Sequence, residues 1–174
     1  MERVTFCAGN DYIPPVKIQN DYEYMGSFRG LNVYDTTDGL RDHIYVLEPN
    51  LNSRRKFRVV ASLEFVPPER NEDTRQVEMV WVQKMYAKQN IAVDLYTFLM
   101  RKHGMIIQAG NVHTQYGERL WRQLANQQGV QLCAATRRGL VWLDRPDTIE
   151  EDLAVGGRSV YRPGVALFAQ WVGR

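Results

Sequence analysis

The sequence predicts an α+β fold in which a twisted mixed sheet is flanked by helices. Residues 56–66 are predicted to form a strand, because alternate positions are apolar. Residues 76–82 are predicted to form a second strand that is buried on the face of Val77, Met79 and Trp81 and mostly buried on the other. Residues 90–103 carry apolar side chains at helical spacing. A short apolar run follows at 105–108. Because a helix joins this run to the strand at 76–82, the two strands are expected to be parallel neighbours.

The composition is that of an ordinary globular domain. The chain has 174 residues, 44% hydrophobic and 24% charged, with a net charge of +2, which predicts one domain with a sizeable core. The densest basic stretch is residues 54–56, so nucleic acid is not the expected partner. No apolar run has the length to span a membrane. Cys7 and Cys133 lie far apart without metal spacing, which favours a reducing, cytoplasmic setting.

The first half of the chain is predicted to be mostly antiparallel strands. Residues 4–7 are predicted to form an edge strand. Residues 23–33 are predicted to form a strand that is broken near Gly26 or Gly30. Residues 31–47 are expected to form a hairpin around a turn rich in Asp, Thr and Gly.

The second half is predicted to add a helix and a hairpin. A helix is expected over residues 114–128, starting at Thr114 and ending at Gly129. Its expected apolar stripe is Leu120, Trp121 and Leu124. Residues 130–143 are expected to form a hairpin, and a short acidic helix is expected over residues 147–153. The tail at 156–174 has two interpretations, a last strand or an interface. Separately, a homodimer is one candidate assembly of the chain.

The turn between the strand at 76–82 and the helix at 90–103 is the best candidate binding site. Residues 83–90 are polar and include Lys84 and Lys88. The first N–H groups of a helix have no partner inside the helix and can bind an anion. His103 and Gly104 suit the helix end, as a cation and as a residue that adopts positive φ. The alternative is an ordinary loop whose lysines are solvated.

The same stretch resembles a known signature. Val82, Tyr86, Ile91 and Ala92 match the acetyl-CoA signature of the GNAT acyltransferases, including divergent members from bacteriophages. The departures from that signature are Lys84 in place of Pro, Ala87 in place of Arg or Gln, and Lys88 and Asn90 in place of Gly. The resemblance covers residues 55–145 and is carried by residues 76–124. Residues 1–55 form a divergent N-terminal part.

This resemblance implies a GNAT-like acyltransferase fold over residues 1–174, best matched at 56–145, with a C-terminal extension at 146–174. It implies acetyl-CoA as the co-substrate, whose pyrophosphate is bound by backbone N–H groups of the turn while the splayed strand end binds the pantetheine arm. The resemblance also implies a cytoplasmic protein. If a bacteriophage encodes the protein, this is the cytoplasm of the host cell. The cofactor-binding residues that it implies are Val82, Lys84, Lys88, Gln89, Asn90, Ile91 and Ala92.

Catalytic candidates follow from the chemistry of acyl transfer to an amine. The amine must be neutral to attack, so Glu78 or Glu64 is a candidate general base. Tyr96 and Tyr116 are candidates to flank the thioester and to protonate the leaving thiolate. The alternatives are a paired strand carboxylate for each glutamate and a core position for each aromatic ring. His103 and His113 have no partner at catalytic or metal-ligand spacing, so no metal is expected.

Three function classes remain. The first is an N-acetyltransferase that acts on an unidentified amine in a ternary complex. The second is a GNAT-shaped protein that has lost catalysis and binds another protein, such as a host protein. The third is a nucleic-acid accessory protein that uses the basic residues at 54–56 and 137–138, and strong salt dependence of binding would be its mark.

Overall fold

The computed structural model describes residues 12–13, 20–37, 41–49, 57–66, 74–110, 115–136, 139–143 and 166–173. It is an α+β protein with a mixed sheet and two helices in these parts. The strands are β1 (Tyr12–Ile13), β2 (Glu23–Phe28), β3 (Leu31–Thr37), β4 (Asp42–Leu47), β5 (Phe57–Phe65), β6 (Thr74–Val82), β7 (Ile106–Gln108), β8 (Val130–Thr136), β9 (Gly139–Leu143) and β10 (Ala166–Trp171). The helices are α1 (Ile91–His103) and α2 (Gln115–Ala125), and a 3₁₀ turn covers Lys84–Tyr86.

The chain divides into two compact units. Unit 1 contains Met1–Glu64 and Val80–Ile91, and unit 2 contains Phe65–Met79 and Ala92–Arg174. Strand β6 and helix α1 therefore each contribute residues to both units. The prediction of one domain stays a prediction.

Unit 1 is built on the strand order β2-β3-β4-β5-β6, with β1 paired to β5. The hairpin of β2 and β3 turns through Arg29 and Gly30, both with positive φ. Gly26, at φ 124°, lies at a shift in the register of the same pair. The predicted break near Gly26 or Gly30 is thus a bulge at the first and a turn at the second. Strands β3 and β4 pair antiparallel, which confirms the hairpin predicted over residues 31–47.

The core of unit 1 includes an aromatic cluster on one face of its sheet. Tyr45, Leu47 and Val59 are buried there. Four partly buried aromatic side chains pack against them, those of Tyr22, Tyr34, Phe57 and Trp81. The rings of Tyr22 and Tyr45 lie 5.6 Å apart between centroids, within the range of favourable aromatic pairs.

Unit 2 has the strand order β6-β7-β10-β8-β9. Strands β6 and β7 pair in parallel from Thr74 opposite Ile106 to Gln76 opposite Gln108, as predicted from the helix that joins them. Strands β8 and β9 form the predicted antiparallel hairpin. The tail forms β10, which lies between β7 and β8 and is antiparallel to both.

Helix α1 confirms the helix predicted over residues 90–103. Leu95, Phe98 and Leu99 are buried as their spacing predicts. The helix ends before Gly104, which has a φ of 64°. The N–H of Gly104 donates to the carbonyl of Met100 over 3.1 Å.

Helix α2 is shorter than the predicted 114–128. Its predicted apolar stripe of Leu120, Trp121 and Leu124 is buried. The rings of Trp121 and Tyr96 meet edge to face at 6.2 Å between centroids. Thr114, the predicted cap, lies outside the described residues.

One expectation about β6 is wrong. The alternation of Val77, Met79 and Trp81 predicted a buried face, but Met79 is 53% exposed whereas Val77 is 6% exposed. Val77 and Met79 belong to unit 2, whereas Trp81 packs in the aromatic cluster of unit 1. Side chains on the same face of β6 therefore have different neighbours. The strand predicted at 4–7 and the helix predicted at 147–153 lie outside the described residues. Neither helix of the described residues is long and apolar enough to cross a membrane.

Candidate anion-binding turn

The turn that follows β6 is held by its own backbone. Gln83 begins the turn, and its N–H donates to the carbonyl of Val60 in β5 over 2.8 Å. The N–H of Tyr86 then donates to Gln83 over 2.8 Å, and the N–H of Gln89 donates to Tyr86 over 3.0 Å. These successive short-range bonds fold residues 83–89 into a compact turn directly before α1.

Asn90, the residue directly before α1, has a left-handed backbone conformation. Its φ is 56°, a left-handed conformation that Asn adopts more readily than most residues because its short polar side chain can bond locally. The signature has Gly at this position. The left-handed backbone that a Gly would supply is therefore present here on an Asn.

The surface of the turn is positively charged and mostly polar, although the large apolar side chain of Met85 is 61% exposed there. Lys84, Lys88, Gln89 and Asn90 are all exposed. The lysines add charge beside the positive end of α1, where helix N–H groups lack intrahelical partners. Charge and backbone donors together favour an anion at this place.

Arg29 reaches the turn from the hairpin of β2 and β3. Its Nη1 donates to the carbonyl oxygen of Gln89 over 2.5 Å, across 60 residues of sequence. The guanidinium therefore adds a third positive charge to the turn of Lys84 and Lys88. Both partners belong to unit 1.

Tyr86 anchors the turn to the end of β4. Its hydroxyl donates to Glu48 Oε1, and Arg58 Nη1 lies 3.4 Å from Glu48 Oε2. The pKa of the Tyr86 phenol is raised, first by burial and then by its hydrogen bond to the Glu48 carboxylate. The phenol thus stays protonated and remains a donor to Glu48.

The predicted catalytic residues occupy different environments. Glu78 is exposed on β6, and Tyr116 is 81% exposed on α2. Tyr96 is 1% exposed on α1, and burial raises the pKa of its phenol. The other candidate base, Glu64, accepts a hydrogen bond from Arg41 within unit 1.

The predicted cofactor residues are continuous in the chain, whereas the predicted catalytic residues lie apart from most of them. Residues 82–91 run from the end of β6 through the turn to the first residue of α1 and belong to unit 1, and Ala92 is the next residue of the helix. Glu78, Tyr96 and Tyr116 belong to unit 2.

Sequence analysis missed the residues that hold the turn from outside. These residues come from other strands of unit 1: Arg29 follows β2, Glu48 follows β4 and Arg58 lies in β5. No local pattern in the sequence links them to the turn. The local signal beside Arg29 is Gly30, because tight hairpin turns favour Gly where φ is positive.

Comparison with known proteins gives no relative. No protein-family model, no curated protein and no solved structure matches the chain. Among the described residues, no group of three or more His, Cys, Asp or Glu side chains could hold a metal ion.

Proposed function

We propose that this protein is a GNAT-type N-acetyltransferase that binds acetyl-CoA and transfers its acetyl group to an amine in a ternary complex. One observation carries the proposal: β6 ends in a compact turn with exposed Lys84 and Lys88 and a left-handed Asn90, which leads into α1. A strand, a cationic turn and a helix start in this order suit a diphosphate group.

The pairing of β6 supports the same ligand. Among the described residues, the parallel register with β7 extends to Gln76 and Gln108, while β6 continues to Val82. A strand that continues beyond its parallel partner offers backbone groups to an extended arm that carries amides. This supports the assignment of the pantetheine arm to the later part of β6.

The reaction follows from the chemistry of a thioester. A neutral amine nitrogen attacks the thioester carbonyl, the C–S bond breaks, and the acetyl group forms an amide. The amine loses one proton, which Glu78 takes directly or through water, and the departing thiolate gains one. Tyr116 has the accessible hydroxyl for that protonation, because Tyr96 is buried.

Calorimetry with acetyl-CoA and with CoA tests the proposal. Micromolar dissociation constants, followed by acetylation of at least one member of a panel of amines, are the expected result. The panel includes a lysine peptide, a peptide N-terminus, an amino sugar and a polyamine. A folded protein that binds neither CoA nor acetyl-CoA contradicts the proposal.

A second function is favoured by two specific departures. Ala87 replaces the signature's Arg or Gln, and the Tyr96 hydroxyl is buried. Both fit a GNAT-shaped protein that works by binding another protein without turnover. Binding of CoA with no acetylation across the amine panel would favour this alternative.

A further inference from the structure

A hydrogen bond joins one left-handed residue of the described chain to the residue directly before another. Arg29, at φ 51°, and Asn90, at φ 56°, are the non-glycine residues with positive φ among the described positions. Arg29 Nη1 donates to the carbonyl of Gln89, the residue directly before Asn90. Left-handed backbone is unfavourable for an L-residue, so such residues persist where the surrounding structure holds them and cluster at functional sites.

The position of Arg29 is fixed by a sheet. It lies in the two-residue turn that joins β2 to β3, where Phe28 pairs with Leu31. Hairpin turns of this length commonly need a positive φ at both central residues, and Arg29 and Gly30 both have one. Strand β3 pairs in turn with β4 along its length. The guanidinium is therefore carried to Gln89 by a hairpin of fixed register.

The hydrogen bond fixes the orientation of one peptide group. A trans peptide is planar, and its C=O and N–H point in opposite directions. When Arg29 holds the Gln89 carbonyl on one side, the Asn90 N–H is aimed to the other side. A carbonyl oxygen beside a phosphate would be repulsive, so binding this oxygen to a guanidinium removes a negative dipole from the site and adds a positive charge.

We propose that Arg29 is a positioning residue for the CoA diphosphate, acting through the Gln89 carbonyl. It supplies from a separate hairpin the cation that an Arg at the position of Ala87 would supply in the signature. This inference rests on the proposed function, because it assigns Arg29 to the same binding turn.

The experiment uses variants that separate the side chain from the backbone. Arg29→Gly removes the guanidinium and accepts φ 51° without strain, so the hairpin is expected to keep its stability. Arg29→Lys keeps a charge at the same place. Arg119→Ala removes an exposed arginine of α2 and serves as the control. Thermal unfolding of each variant confirms that it is folded.

Calorimetry measures the affinity of each variant for CoA and for pantetheine, which lacks the diphosphate. Arg29→Gly is expected to weaken CoA binding at least tenfold and to leave pantetheine binding unchanged, and Arg29→Lys is expected to restore part of the loss. Hydrogen exchange of the free protein is expected to be faster at the amides of residues 88–91 in Arg29→Gly. Arg119→Ala is expected to match the wild type.

The outcomes separate this inference from the proposed function. Unchanged CoA affinity in folded Arg29→Gly overturns the role of Arg29 while the proposed function stands. Equal losses for CoA and pantetheine also overturn it, because they indicate a general structural effect. A wild-type protein that binds no CoA overturns the proposed function, and the role of Arg29 fails with it.

Discussion

Trp171 shows how one side chain restricts the residues around it. Its ring lies next to Gly129, where a Cβ would come within 2.6 Å of ring atoms. The guanidinium of Arg101 lies 5.4 Å from the ring centroid, within the range of a cation–π contact. Gly129 also has a φ of 84°. Both the space and the backbone therefore require Gly at this position.

Gly129→Ala is expected to destabilise the protein by at least about 2 kcal/mol, because it combines left-handed strain with overpacking. Gly104→Ala is the matched control: φ is 64° there, but a Cβ would have nothing within 4 Å. The control is expected to cost only about 1 kcal/mol. Chemical denaturation measures both values. Equal losses in the two variants would contradict the packing contribution of Trp171.

Tyr22 is expected to make the stability of unit 1 depend on pH in the alkaline range. Burial, together with the negative charge of Asp21, raises the pKa of Tyr22 to about 12. The folded state therefore favours the protonated phenol. The stability from Tyr22 is fully present below the unfolded pKa of about 10 and is lost as the pH rises towards 12.

Urea denaturation at pH 9 and pH 11.5 tests this dependence. The wild type is expected to lose more stability between the two pH values than Tyr22→Phe, which has no phenol to ionise. Tyr116→Phe changes an 81% exposed tyrosine and is expected to behave as the wild type does. Parallel losses in the wild type and Tyr22→Phe would show that Tyr22 makes no such contribution.

At the scale of elements, the turn between β6 and α1 is the feature that the proposed function depends on. Lys88→Glu places a negative charge in this turn, so it is expected to weaken CoA binding at least tenfold with the fold retained. A tenfold change in affinity corresponds to about 1.4 kcal/mol. Lys102→Glu makes the same change at an exposed position in the last turn of α1 and controls for net charge. If calorimetry shows that a folded Lys88→Glu variant binds CoA with wild-type affinity, this result would count against the site.

Strand β6 also carries the candidate base. Glu78→Gln keeps the shape of the side chain and removes its basicity, so turnover is expected to fall by about 10²–10⁴ with CoA affinity retained. Part of the loss is expected to return at higher pH, where more of the amine is already neutral. Steady-state rates across pH provide the measurement, and equal rates would direct attention to Glu64.

Local patterns predicted most of these elements. The alternation of residues 57–65 and the helical spacing of residues 91–103 reflect which side chains face a core, and each is visible within a short window. The exposure of Met79 was not predictable in this way. Alternation assigns a side chain to one face of a strand. It does not show how far along the strand other elements pack against that face.

At the scale of the whole molecule, each unit depends on contacts between distant parts of the chain. In unit 1, Arg29 reaches a turn 60 residues later. In unit 2, β10 is inserted between β7 and β8. Periodicity predicted a strand in the tail as one of two alternatives, but its partners could not be predicted, because a strand pattern does not encode which edge it joins.

Ala169 tests the importance of β10 to unit 2. It is fully buried and lies opposite Ile107 on one side and Leu132 on the other. Ala169→Asp is expected to cost several kcal/mol, because it buries an unpaired carboxylate. Val172→Asp, at a 52% exposed position beyond the strand, is expected to change stability by less than about 0.5 kcal/mol. A small loss at Ala169 in chemical denaturation would contradict the observed placement of β10.

The insertion of β10 has a consequence for biosynthesis. Strands β7, β8 and β9 leave the ribosome before the residues at 166–171, which separate two of them in the finished sheet. At about 5–20 residues per second, translation from Thr136 to Trp171 takes roughly 2–7 seconds. During this interval β7 and β8 each lack the neighbour that covers one edge, and open strand edges are sites of aggregation. A chaperone that binds nascent strands would therefore act on this protein after β8 has been made and before β10 is in place.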